Sequence, residues 1–207
     1  MQALLAQLAL QFSALSPLEM TAALLAIAYL ALAIRQNIWC WLCAAVSTGI
    51  YVYLFFDARL YMESLLNGFY VVMAAYGWQV WRSGANDTIE LPVTEWPLHV
   101  HVRAVLAMLA LSAISGYLLQ RLTDAALPYI DSLTTFAAIW ATFLVARKVL
   151  SNWWYWLAID AASVFIYWAR DLPVTALLFM IYLAMIPFGL VAWRRSFRER
   201  DPELTSP

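Results

Sequence analysis

Apolar runs of about 17 to 25 residues, each stopped by charges, recur along the chain at 18–34, 38–56, 61–81, 99–119, 128–146, 152–169 and 173–194. Runs of this length are too long for barrel strands. In lipid every backbone polar group must be paired inside its own segment, so the pattern predicts an all-α integral membrane protein with seven transmembrane helices. Pro17, Pro128 and Pro173 fall at span starts, where a missing amide hydrogen costs nothing. Pro187 lies inside the last span and predicts a bend there. Ahead of the first span, Gln7 and Gln11 share a helical face opposite Leu4, Leu8 and Phe12. Residues 1–17 are therefore expected to form an interfacial segment, or else a frayed tail. No Lys or Arg precedes Arg35, so the basic region of a cleaved signal is missing and the segment is expected to stay in the mature chain.

The chain also repeats itself. Laying Asn37-Ile38-Trp39-Cys40-Trp41-Leu42 over Asn152-Trp153-Trp154-Tyr155-Trp156-Leu157 gives identity at four of six positions, at an offset of 115 residues. The same offset carries Trp78 onto Trp193 and sets Ser163 beneath Thr48. This predicts two three-helix repeats, 18–81 and 128–195, joined by a loop and linker helix over 82–127 and followed by a tail at 196–207. One helix separates the copies, so they run in parallel, an arrangement that puts a substrate near mid-bilayer between the halves.

Composition supports a bilayer as solvent: 207 residues are 65% hydrophobic and 12% charged, with a mean hydropathy of +0.73. The net charge of −1 argues against nucleic acid as a partner, since phosphate binding needs a clustered basic surface and the chain offers none outside its last helix end. Arg35, Arg82, Arg103, Arg147, Lys148, Arg194, Arg195, Arg198 and Arg200 fall on one side of the predicted membrane, against Arg59, Arg121 and Arg170 on the other. That bias predicts a cytoplasmic C-terminus and an outside N-terminus. Trp39, Tyr51, Tyr53, Trp78, Trp81, Trp153, Trp168 and Trp193 stand near span ends, as interfacial belts do.

Polar residues inside the spans are the candidate chemistry. Asn152, Trp156 and Asp160, at i, i+4 and i+8, share one face of the sixth span, and Glu63, Asn67 and Tyr70 share one face of the third. A carboxylate at a span centre costs about 2.5–3.5 kcal/mol on insertion scales, so it is expected to meet a partner or a watery cavity. Acids beside aromatic faces suit a flat cation, and the two Asn amides suit a carboxamide, an aminopyrimidine or sugar hydroxyls. At the 115-residue offset Asn37 and Trp41 are the counterparts of Asn152 and Trp156, and Tyr182 is a further candidate on an apolar stretch. Structural roles compete at each place. Asn37 and Asn152 stand where helices begin and can cap them, Glu63 can reach the interface, Asp160 can pair across helices, and Trp156 can pack. Cys40 and Cys43 read as apolar packing, and His99 and His101 have no acidic or thiol neighbour to complete a metal site. No nucleophile with a base, no metal cluster and no P-loop is visible, so neither an enzyme nor a cofactor is expected.

Ser151-Asn152-Trp153-Trp154-Tyr155-Trp156-Leu157-Ala158-Ile159-Asp160, followed by Thr175-Ala176-Leu177-Leu178, resembles the C-terminal signature of the Pnu-type vitamin transporters. Arg59-Leu60-Tyr61 through Tyr76-Gly77-Trp78 resembles that family's other signature, and the likeness runs from Ile34 to Arg195. It implies a SWEET-like arrangement of three plus one plus three helices, a homotrimer in a bacterial inner membrane, and uptake by facilitated diffusion with trapping by a cytoplasmic kinase. It also implies substrate contact at Asn152 and Trp156. The resemblance implies nicotinamide riboside as substrate; Asn67 stands where the family's nicotinamide riboside carriers have Gln, one methylene longer, a departure that keeps thiamine or another flat vitamin precursor as the alternative. A membrane scaffold or sensor is the more remote expectation.

Overall fold

The structure, a computed structural model, describes residues 10–57, 61–86, 91–123 and 127–200. Gln7, Arg59 and the tail beyond Arg200 lie outside them. Seven long helices follow one another: α1 (Pro17–Ile34), α2 (Cys40–Asp57), α3 (Tyr61–Asn86), α4 (Leu98–Leu122), α5 (Pro128–Ala146), α6 (Asn152–Ala169) and α7 (Pro173–Arg200). A short helical stretch over 10–14 precedes them. The described residues contain no strand, only one isolated parallel bridge between Thr94 and Val149.

The starts follow local chemistry. Ser16 accepts from the Glu19 amide at 3.2 Å while its own amide donates to the Glu19 carboxylate at 2.7 Å, a capping box ahead of Pro17. Pro128 opens α5 and Pro173 opens α7. Pro187 stands inside α7, which continues through it to Arg200. Gln11 donates to the Asp171 carbonyl at 3.0 Å and accepts from the Val174 amide at 3.4 Å, tying the N-terminal stretch to the α6–α7 turn.

Five helices, α1, α2, α4, α5 and α7, are long and apolar enough to cross a bilayer. The others, α3 and α6, are as long but carry the polar candidates, Glu63 and Asn67 on one and Asn152 and Asp160 on the other.

Contacts between helices run α1–α2–α3 and α5–α6–α7, with α1 against α7, α3 against α5, and α4 against α5. Leaving α4 aside, exchanging the first triplet for the second leaves this pattern unchanged, because α1–α7 becomes α5–α3. Equivalent contacts fix the register of the repeat. The Trp41 ring packs against Gly77 and the Trp153 ring against Gly189, each so closely that a Cβ on the glycine would overlap the indole. Trp41 meets Trp81 edge-on at 5.5 Å, and Trp153 meets Trp193 edge-on at 5.5 Å. Arg35 and Arg147 end α1 and α5, followed by Gln36 and Lys148 at left-handed φ of 55° and 50°.

All of these pairs lie 112 residues apart, which corrects the 115-residue offset. At 115 the Trp-rich stretches match by composition, but Trp153, not Trp156, occupies the place of Trp41, and Val149, not Asn152, that of Asn37. Identities hidden by the wrong register then emerge: Arg35 with Arg147, Tyr70 with Tyr182, Met73 with Met185, Gly77 with Gly189 and Arg82 with Arg194.

Candidate functional site

α6 shows one exposed stripe, Trp154, Ala158, Ala161, Phe165 and Trp168, and buries the opposite face. Asn152, Asp160 and Ser163 are buried polar residues on the inward side, at 0%, 4% and 7% exposure. Trp156 lies between them, half-buried. The Asn152 amide donates to the Val149 carbonyl at 2.7 Å, which fixes the side chain and aims its other end away from the turn. Asn152 Oδ1 and Asp160 Oδ1 are then left buried without a hydrogen-bond partner. A buried acceptor without a donor costs about 1–3 kcal/mol, more for a charged group. Two of them on one helix face, about 12 Å apart at ~1.5 Å rise per residue, call for a ligand that brings donors to both ends.

Aromatic rings surround this face. Trp156 and Tyr70 of α3 pack about one small cluster made by Ala138 and Ala141 of α5 and Ile159 of α6. Tyr29 of α1 packs on Trp41 at 6.1 Å, and Tyr51 of α2 stacks on Phe55 at 5.6 Å. Phe179 stacks on Tyr167 at 5.2 Å and meets Tyr182 edge-on at 5.7 Å. Asn67 sits one turn before Tyr70 and donates to the Glu63 carbonyl at 2.8 Å. The structure thus brings Tyr70 and Trp156 together on one apolar cluster, with Asn152 and Asp160 buried along the same α6 face as Trp156, while Tyr182 meets Phe179 within α7 and Asn67 bonds within α3.

Three candidates stand apart. Asn37 is exposed, and its carboxamide oxygen accepts from the Trp39 amide at 3.0 Å, so it serves the turn before α2. Trp41 is 2% exposed and belongs to the tryptophan packing at the helix corners. Glu63 is exposed in the first turn of α3. The first two were paired with α6 residues by the 115-residue offset, and the true register removes that pairing.

Sequence reasoning missed Tyr167, which isolated in an apolar run looks like any interfacial tyrosine but packs on Phe179 of α7. It also set His101 aside with His99. His101 of α4 contacts the Tyr155 hydroxyl through Nδ1 at 3.1 Å and Ser151 Oγ through Nε2 at 3.2 Å, bracing the first turns of α6 on either side of Asn152. No metal is needed to explain it. Cys40 is buried and Cys43 half-buried, both as free thiols, in line with packing.

A bundle of apolar helices closed around one buried polar and aromatic face describes a multi-pass membrane carrier. The sequence model of the nicotinamide mononucleotide transporter family matches residues 16–195, and the chain belongs to that family. It is 25% identical to the nicotinamide riboside transporter PnuC of Escherichia coli (strain K12) over 186 residues, covering 78% of each chain. It is 24% identical over 190 residues to the riboflavin/roseoflavin transporter RibM of Streptomyces davaonensis, covering 90% of this chain and 89% of the relative. Its fold is similar to the crystal structure of the vitamin B3 transporter PnuC, with a TM-score of 0.73 at 22% identity, covering 95% of this chain and 90% of that one.

Proposed function

We propose that the protein takes up nicotinamide riboside by facilitated diffusion through a bacterial inner membrane. The observation that carries this reading is the pair of orphaned acceptors, Asn152 Oδ1 and Asp160 Oδ1, on an α6 face lined with aromatic rings. Nicotinamide riboside has a carboxamide N–H₂ at one end, ribose hydroxyls at the other and a flat cation between. Trp156, Tyr70 and Tyr182 supply ring faces for the cation, and Asp160 supplies the opposite charge. The same carboxylate disfavours a phosphate, so the nucleoside is preferred to the nucleotide. PnuC relatives bear the name of this substrate. Thiamine, also a flat cation with an amino group and a hydroxyl, is the alternative, with Asn67 one methylene shorter than the Gln of nicotinamide riboside carriers. RibM is a relative named for a neutral flavin, but Asp160 has no charge to meet there.

The rest of the reading follows from the repeat. Residues 18–81 and 128–195 act as two parallel halves and 82–127 as their connector, three plus one plus three in SWEET-like fashion, with α3 and α6 also spanning. The excess of Arg and Lys on the side of Arg35, Arg147 and Arg194 sets that side in the cytoplasm. There a kinase traps the product, and the exposed apolar face of α4, with Leu106, Ile114 and Leu122, serves a trimer contact.

Binding to the purified protein, read by tryptophan quenching, tests the substrate. Nicotinamide riboside is expected to bind at least tenfold more tightly than nicotinamide mononucleotide, riboflavin or uncharged nicotinamide. Equal affinity for the mononucleotide would remove Asp160 from the site.

A further inference from the structure

At the Arg-rich end the two halves are held together by reciprocal hydrogen bonds. Trp193 Nε1 of α7 donates to the Ala33 carbonyl at the end of α1, at 3.0 Å, and Trp81 Nε1 of α3 donates to the Ala146 carbonyl at the end of α5, at 3.1 Å. The donors lie 112 residues apart and the acceptors 113, each in the last turn of its helix, so each half grips the corner of the other. The indoles continue across the seam, with Trp41 against Trp81, Trp81 against Trp193 at 6.4 Å, and Trp193 against Trp153. Trp41, Trp81, Trp153 and Trp193 are all at most 5% exposed. The four indoles thus form one continuous buried layer at that end.

The two corners differ in what else holds them. In the second, between α5 and α6, Thr94 of the segment before α4 donates to the Lys148 carbonyl at 3.0 Å and accepts from the Leu150 amide at 2.8 Å. Neighbouring Val93 is 4% exposed in the main apolar cluster, and Trp96 packs on Trp140 and Phe143 at 6.0 Å each. Lys148 Nζ lies over the Trp81 ring at 4.6 Å, and His101 holds Ser151. In the first corner, between α1 and α2, Gln36 takes the place of Lys148, and among the described residues no extended segment pairs with it.

We propose that the paired tryptophan clasps are the cytoplasmic gate, and that the gate opens at the α1–α2 corner by release of Trp193 from Ala33. The α5–α6 corner, strapped by Thr94, stays in place and keeps the α6 face set for the ligand. This assignment rests on the orientation and the carrier role given above.

Two single-cysteine proteins test it, each reporting one corner. One keeps native Cys40, 0% exposed at the start of α2, with Cys43→Ala; the other has Val149→Cys, also 0% exposed, with Cys40→Ala and Cys43→Ala. An impermeant maleimide is applied to inside-out vesicles, and each rate is divided by that of the same protein unfolded in detergent. Cys40 is expected to react at least tenfold faster than the thiol at 149. Thr94→Pro, which removes the amide that donates to Lys148, is expected to bring the 149 rate up to that of Cys40. Trp193→Phe, which keeps an aromatic ring, though a smaller one, and removes the donor, is expected to speed Cys40 further. Equal rates at the two corners in the parent proteins, or a faster rate at 149, would overturn the proposal. Labelling needs no vitamin, so a protein that passes this test but carries no nicotinamide riboside would retain the gate and lose the substrate, and the reverse pair of results would do the opposite.

Discussion

In the proposed site Trp156 and Asp160 divide the work on the ligand between a ring face and a full charge. Trp156→Ala removes a ring from a largely desolvated face, and the expected loss is about 1–2 kcal/mol in nicotinamide riboside binding, roughly 5- to 30-fold in affinity. Unchanged affinity in a quenching or calorimetric titration would return Trp156 to packing. Asp160→Asn keeps an acceptor of the same shape and removes the charge. At an effective dielectric near ~20 and several ångströms, an unpaired charge and a cationic ring attract by on the order of 2 kcal/mol. The variant is therefore expected to bind nicotinamide riboside about 30-fold more weakly while binding uncharged nicotinamide as before; competition titrations with the two ligands read the difference. At this scale the sequence was informative where spacing itself carries meaning. Asn152, Trp156 and Asp160 fall on one face because i, i+4 and i+8 must in any helix. Tyr167 gave no such signal, since it meets Phe179 of the next helix only through tertiary packing.

The helices show why hydropathy found every element and misplaced the repeat. Span ends are set by charges and prolines, both visible in the sequence, and α1 to α7 begin and end within a few residues of the expected runs except where α3 and α7 continue past Trp81 and Arg194 into polar turns. The offset between the halves is set instead by which tryptophan lies on which glycine, and a segment as rich in Trp as 153–156 matches Trp39 and Trp41 in more than one register. Gly77 and Gly189 decide the matter because only a residue without Cβ lets the indole of Trp41 or Trp153 lie against the facing helix. Gly77→Val and Gly189→Val are expected to destabilise the protein similarly, by about 1–3 kcal/mol each through overpacking, seen as a lower Tm in detergent. A neutral result at either position would show that the two corners are not built alike.

Over the whole molecule, two triplets of helices share one contact pattern while their polar content is unequal. The α2 positions equivalent to Asn152, Trp156 and Asp160 are Cys40, Ala44 and Thr48, so the amide, indole and carboxylate stripe of α6 has no copy on α2. Such a division suits a carrier that binds an asymmetric molecule between symmetric halves, and the described residues offer no ATP motif to power it. The most direct measurement is uptake of labelled nicotinamide riboside into proteoliposomes holding only this protein. The account predicts that label enters down its own gradient, without ATP or an imposed proton or sodium gradient, stops at equal concentrations inside and out, and is not displaced by excess nicotinamide mononucleotide. Uptake that needs an imposed ion gradient, competition by the mononucleotide, or no entry at all with folded protein would contradict it.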